Sequence, residues 1–172
     1  PFYVQPQDAD AIRNDGFTNV IPIEEIKTID GISIYRTTGH HGFGQIGQMM
    51  GPVSGYVLKA EGFPTVYIMG DCRWEACIRD TVERFNPDYI VVNSGGAIFP
   101  EFSKTDGPII PDENEVMQIL DELPSHIKLI AVHMDAIDHC QTTRAILRNE
   151  ATHHEADMSR LIIPEDGETV VL

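Results

Sequence analysis

Short apolar runs of strand length alternate along this chain with segments whose apolar residues recur every three or four positions. Residues 32–35, 56–59, 65–69, 89–92 and 127–132 are rich in β-branched and aromatic side chains and predict strands. Residues 20–23 and 25–28 also read as extended. Asp30-Gly31 is a two-residue hairpin signal leading into residues 32–35, and Glu61-Gly62-Phe63-Pro64 turns a second hairpin between 56–59 and 65–69. Trp74, Cys77, Ile78, Val82 and Phe85 have helical spacing, which predicts a helix over 74–85 that Asn86-Pro87 ends. A short helix is predicted over 8–14, ended by Gly16. Asp112 can cap a helix over 113–120 with Val116, Ile119 and Leu120 inward, and Asp138 can cap one near 139–149. Residues 161–163 and 169–171 flank Glu165-Asp166-Gly167 and predict a closing hairpin. Hairpins followed by strand–helix–strand units make this an α/β chain (α+β in its ordering) with a mixed sheet, because a purely parallel sheet would not contain so many tight turns.

The composition bounds what such a fold can do. At 172 residues with 42% apolar residues, the chain suffices for a single domain, residues 1–172, with a buried core. Twelve Lys plus Arg against 27 Asp plus Glu give a formal charge of −15, and a field of that sign argues against nucleic acid as a partner. The three cysteines, Cys72, Cys77 and Cys140, are too sparse for a disulfide framework, so a reducing cytoplasm is expected. No segment has the length of a membrane span and no signal peptide heads the chain. The first residue is Pro1 rather than Met, which suggests a fragment or a processed chain.

Candidate chemistry gathers where strands end. Gly39-His40-His41-Gly42, Gly70-Asp71-Cys72 and the run from His133 to His139 each put metal-ligand residue types beside a predicted strand. Imidazole and carboxylate together suit zinc, manganese or iron better than calcium or magnesium. Adjacent histidines diverge in extended chain, so at most one of His40 and His41 is a ligand. Asp71 could equally cap the following helix, and His139 could face substrate or solvent. His133 is read as continuing its strand, and His153-His154 as solvated. Asn93-Ser94-Gly95-Gly96-Ala97 is either an anion-binding set of amides or a tight turn. Gly42-Phe43-Gly44-Gln45-Ile46-Gly47 matches GxGxxG, but Gly51-Pro52 leaves no room for the crossover helix a dinucleotide site needs, so these glycines read as a flexible loop. No GxSxG marks a serine nucleophile, and Cys72 has no evident base.

Across Thr37-Thr38-Gly39-His40-His41-Gly42, Gly51-Pro52-Val53-Ser54-Gly55-Tyr56-Val57-Leu58, Val66-Tyr67-Ile68-Met69-Gly70-Asp71, Pro87-Asp88-Tyr89-Ile90-Val91-Val92-Asn93 and Ala131-Val132-His133-Met134-Asp135, the chain resembles the metallo-β-lactamase superfamily, in particular its zinc-dependent, lactonase-like hydrolases. The resemblance implies a four-layer αββα sandwich of which this chain is the C-terminal half. It implies two metal ions, zinc or alternatively manganese or iron, with His41 on one, His133 on the other and Asp71 between them. The family's HxHxDH motif is absent, so each ion keeps too few ligands for a tight site. Cys72 stands where the family typically has Thr. The implied activity is hydrolysis of an ester, lactone or phosphoester by a metal-bound hydroxide, with Asp71, Asp135 and His139 as catalytic candidates. The alternative is a non-catalytic, partner-binding half-domain with a vestigial site. Expected partners are a small-molecule substrate and either the missing N-terminal half or a second copy in a homo-oligomer, with no membrane.

Overall fold

A computed structural model describes residues 1–102 and 105–172. After a small parallel pair of β1 (Phe2–Val4) and β2 (Val20–Pro22), separated by α1 (Ala9–Asn14), the chain builds a larger sheet. Its strands are β3 (Ile26–Ile29), β4 (Ile32–His40), β5 (Pro52–Lys59), β6 (Val66–Ile68), β7 (Tyr89–Asn93), β8 (Lys128–Val132) and β9 (Leu161–Ile162). Among the described residues this sheet has seven strands, and their spatial order is their sequence order. Three antiparallel pairings link β3 to β6, and parallel pairings then add β7, β8 and β9. Hairpins set each early strand beside its predecessor; α3 (Ala76–Phe85), α4 (Glu113–Glu122) and α5 (Arg144–His153) each carry the chain back for the next parallel strand. The predicted mixed α/β sheet is the observed one. Asp30 and Gly31 take φ of 48° and 85°, the left-handed pair that a two-residue hairpin needs.

Alternation along the strands decides where the core lies. Val57, Tyr67, Ile90, Val92, Leu129 and Ala131 are wholly buried and pack with Ile78, Val116, Ile119 and Leu147 of the three helices. Each such aliphatic side chain contributes about 1.5–3 kcal/mol. Helix α3 ends where Asn86 turns left-handed at φ 43°, and α4 begins where Asp112 Oδ1 accepts from Glu115 N at 2.9 Å.

Four local expectations give way. The glycine-rich segment is not a loop: α2 (Gly44–Met50) forms there, with Ile46 N donating to Asp106 Oδ2 at 2.9 Å. That acceptor lies sixty residues away in sequence, so no local pattern signals it. Helix α5 starts at Arg144 under a Thr143 cap rather than near His139 under Asp138. Cys140 is held back by an isolated bridge to Ala97, which leaves Asp138 exposed before the helix can start. The closing hairpin is also absent. Glu168 N does donate to Glu165 O at 3.0 Å, but β9 pairs in parallel with β8 and residues 169–171 form no strand. Arg148, bonding Glu165 at 2.7 Å, and Arg144, bonding Asp166, fasten that turn to α5 instead. The fourth concerns His133. Strand β8 stops at Val132, and His133 leaves it with a left-handed φ of 65°. Among the described residues no helix is long and apolar enough to cross a membrane.

Candidate functional site

Strands β4, β6, β7 and β8 run in one direction, so their C-terminal ends share one edge of the sheet. In open sheets with parallel strands that edge is where ligands bind. Gly70 follows β6 with φ 71°, and a Cβ there would lie 2.7 Å from Ser54 O, so only glycine lets the chain turn this close to β5. Asp71 comes next, and Asn93 at the end of β7 donates from Nδ2 to its Oδ1 at 2.6 Å. One carboxylate oxygen is thereby engaged and its orientation set. Behind it, Arg73 and Glu115 make an ion pair at 2.6 Å, Glu115 Oε1 accepts from Trp74 N at 2.6 Å, and Arg73 also reaches Pro108 O. Glu115 is buried, and that burial raises its pKa more than the neighbouring Arg73 lowers it.

His133 is placed by a different device. Its left-handed backbone costs on the order of 1–2 kcal/mol in a residue that is not glycine. Ser94 fixes the carbonyl just before it, donating to Val132 O from both N at 2.8 Å and Oγ at 3.0 Å. Cys140 Sγ lies 3.8 Å from His133 Nδ1. Gly95 is pressed against both, since a Cβ there would stand 2.4 Å from His133 O and 2.7 Å from Cys140 Sγ.

His41, Asp71, His133 and His139 line one cleft of about 200 Å³, whose remaining walls include Met50, Phe99, Ile109 and Ile137. The His139 ring stacks on Phe99 with centroids 5.2 Å apart and planes at 22°. Burial lowers the His41 pKa, opposed by the Asp71 charge and reinforced by His133, so its imidazole favours the neutral form that can donate a lone pair.

Of the residues singled out from sequence, these four come together and Asp135 does not join them. Its Oδ2 accepts from Arg144 N at 3.1 Å and Nη1 at 2.8 Å, tying the turn after β8 to the start of α5. His40 faces outward and pairs with Glu75 at 2.7 Å. His153 and His154 are exposed, the latter bonded to Asp121 at 2.8 Å. In the segment from Asn93 to Ala97 the Ser94 and Gly96 amides are engaged, donating to Val132 O and Pro111 O. Asn93, Cys140 and the Arg73–Glu115 pair were not foreseen as supports of the site. Asn93 alone had a visible signal, as the polar residue closing the strand beside Asp71.

The donor chemistry suits a transition metal, but the set is incomplete. Among the described residues no three His, Cys, Asp or Glu side chains are grouped as an ion requires. This chain's residues therefore fit a metal only as part of a larger set.

No family model matches the chain. It is 31% identical over 170 residues to the UPF0173 protein YddR of Bacillus subtilis strain 168, covering 98% of itself and 64% of that relative. The crystal structure of a possible metal-dependent hydrolase from Veillonella parvula superposes with a TM-score of 0.90 at 31% identity, over 99% of this chain and 66% of that one. The structure of an isothiocyanate hydrolase from Delia radicum gut bacteria gives 0.89 at 34%, with the same coverage. The metallo-β-lactamase fold protein YhfI of Bacillus subtilis shares the fold alone, at 14% identity and a TM-score of 0.62 over 95% of this chain and 61% of its own. The chain is thus similar to these hydrolases and shares the metallo-β-lactamase fold, and it spans slightly under two thirds of the length of the relatives it matches.

Proposed function

We propose that this chain contributes part of the active site of a metal-dependent hydrolase. The reading rests above all on the convergence of His41, Asp71 and His133 from three strand ends onto one cleft. In it, His41 and His133 would each hold one of two ions, and Asp71 would serve both. Zinc is the first choice of metal, with manganese or iron as alternatives. Further polypeptide, either an N-terminal half or another chain, supplies the ligands these 172 residues lack. A bound divalent ion supplies Lewis acidity at the reacting oxygen. The chain's own residues do the rest. Asn93 keeps Asp71 in one orientation, neutral His41 keeps a lone pair available, and His139, braced on Phe99, orients the substrate. Asp135 acts on the reaction only through the turn it fastens to Arg144. The substrate is an ester, a lactone or a phosphoester. Isothiocyanates join the panel because one similar structure is named an isothiocyanate hydrolase.

Metal titration of the intact protein, followed by lactone, ester, phosphodiester and isothiocyanate panels, tests this reading. His41→Ala and Asp71→Ala should each abolish tight metal binding and turnover; unchanged activity in both would sink it. A non-catalytic, partner-binding half-domain is the second reading, favoured by the incomplete ligand set among the described residues. It expects the 172-residue chain to be a stable, metal-free homo-oligomer by size exclusion and elemental analysis.

A further inference from the structure

A neutral imidazole has one protonated and one bare ring nitrogen, and only the bare one can hold a metal ion. Which nitrogen is bare is set by the hydrogen bond that the other one makes. At His133 the structure places Cys140 Sγ 3.8 Å from Nδ1. Nε2 is then the nitrogen left to the cleft that His133 lines. The thiol is no loose neighbour. Cys140 is 8% exposed and packs with Ile46, Ala97, Ile109 and Ile110. Its backbone is fastened on both sides to the chain after β7: Ile98 N donates to His139 O at 2.9 Å, Ala97 bridges Cys140 itself, and Thr142 N donates to Gly95 O at 2.9 Å. The same short segment places its partner, because Ser94 holds Val132 O from both N and Oγ. Gly95 stands between the two, where a Cβ would lie 2.4 Å from His133 O and 2.7 Å from Cys140 Sγ. Any side chain there would push imidazole and thiol apart.

An imidazole N–H is a good donor, whereas a thiol donates weakly and can accept through its sulfur lone pairs. Histidines that bind metal commonly give their second N–H to a carboxylate or a carbonyl, which fixes the tautomer and aims the ring. Here an uncharged sulfur stands in that place. It suits the apolar surroundings of Ile109 and Ile110, where an ionised carboxylate would be costly to desolvate. We propose that Cys140 is a positioning residue: its Sγ accepts the Nδ1–H of His133, so that Nε2 keeps the free lone pair facing the cleft. This deepens the hydrolase reading and rests on it only for the ion that Nε2 would serve; the tautomer itself needs no metal.

The test reads the tautomer in metal-free protein labelled with nitrogen-15 at histidine, at about pH 9, well above the ordinary histidine range. Long-range proton–nitrogen correlation spectra separate protonated from bare ring nitrogens, and His133→Gln identifies the His133 signals by their loss. The unaltered protein should show Nδ1 protonated and Nε2 bare at His133. Cys140→Val keeps most of the buried volume and removes the acceptor. The His133 proton should then move largely to Nε2, the nitrogen that an unrestrained histidine side chain prefers, while the core isoleucine methyl spectrum stays unchanged. Cys140→Ala should give the same shift, so a fold disturbed in one variant leaves the other to read. Nε2 protonated in the unaltered protein would overturn the inference. So would Nδ1 staying protonated in folded Cys140→Val, because the sulfur would then act only by filling space. In the intact protein, Cys140→Val should weaken zinc binding about tenfold or more. Unchanged zinc affinity alongside the expected tautomer shift would count against His133 as a ligand, and so against the hydrolase reading, and would leave the hold of Cys140 on the ring standing.

Discussion

Glu115 offers a sharp test of how the segment bearing Asp71 is held. Its carboxylate is 8% exposed and satisfies two groups at once, the Arg73 guanidinium at 2.6 Å and the Trp74 amide at 2.6 Å. Glu115→Ala leaves Arg73, 15% exposed, with Pro108 O and the Phe43 ring as its remaining company. It also strips the acceptor from the amide of Trp74, itself 7% exposed. An orphaned buried amide costs about 1–3 kcal/mol, and removing one partner of a buried ion pair costs about 3–5 kcal/mol. The two losses share one site and do not add, so about 3–5 kcal/mol is expected for the substitution. For a chain of this length that lowers Tm by roughly 6–20 °C. Urea titration read by fluorescence of Trp74, the sole tryptophan, gives the midpoint directly. The paired substitution Arg73→Met with Glu115→Met should recover only the ion-pair part of the loss, since apolar residues of similar volume can replace a buried pair at little cost while the Trp74 amide stays without its acceptor. A loss below about 1 kcal/mol for Glu115→Ala would refute the claim that this pair anchors the segment.

The same reasoning extends to three other places. Gly95→Ala puts a methyl 2.4 Å from His133 O and 2.7 Å from Cys140 Sγ; a destabilisation of about 2–3 kcal/mol with displaced His133 ring resonances is expected, and a neutral result would mean the turn can shift. Glu122, held by Arg79, Gln118 and the Trp74 indole, has its pKa lowered to about 2 from 4.5. A depressed carboxylate stabilises the fold above its unfolded pKa and loses that contribution as pH falls towards about 2. With Glu122 36% exposed, solvent screening limits the effect to under about 1 kcal/mol; Glu122→Gln should flatten the matching change in Trp74 fluorescence, and an unaltered acid limb would contradict the assignment. Burial, helped by nearby Cys77, Glu75 and Asp71, pushes the Cys72 thiol up to about 12, leaving a thiolate fraction near pH 8 of about 10⁻⁴. Cys72 should therefore resist iodoacetamide in the native protein until urea unfolds it, and fast native labelling would show the segment opening.

The sheet was legible because its strands are short apolar runs rich in β-branched and aromatic residues and its early hairpins carry Asp30-Gly31 and Glu61-Gly62-Phe63-Pro64. The convergence of His41, Asp71 and His133 was legible for the same reason, since each follows an apolar strand. What escaped depended on partners distant in sequence. Helix α2 is fixed by Asp106, sixty residues further on. The start of α5 was read at Asp138, but Thr143 caps it, and the Ala97–Cys140 bridge lies between the two. Asp135 looked like a site residue from its place after β8, yet Arg144 claims it. The left-handed turn at His133 has no signature in its own side chain; Ser94, the residue just after β7, holds Val132 O beside it.

The end of strand β7 and the two residues after it organise the cleft, although they send no ligand-type side chain into it. Asn93 reaches to one side and fixes Asp71 beyond β6; Ser94 reaches to the other and fixes the carbonyl preceding His133 beyond β8. Gly95 then permits the close approach of His133 and Cys140, and its carbonyl accepts from Thr142 N at 2.9 Å. Parallel neighbours about 4.8 Å apart are ideally spaced for this, because one strand end can touch the chain leaving both. The separation between Asp71 and His133 is therefore set by three consecutive residues rather than by the ligands themselves. A change at Asn93 should disturb Asp71 alone, whereas a change at Gly95 should disturb His133 alone. That asymmetry follows from the two opposite directions in which β7 reaches, and a flexible loop at the same place would blur it.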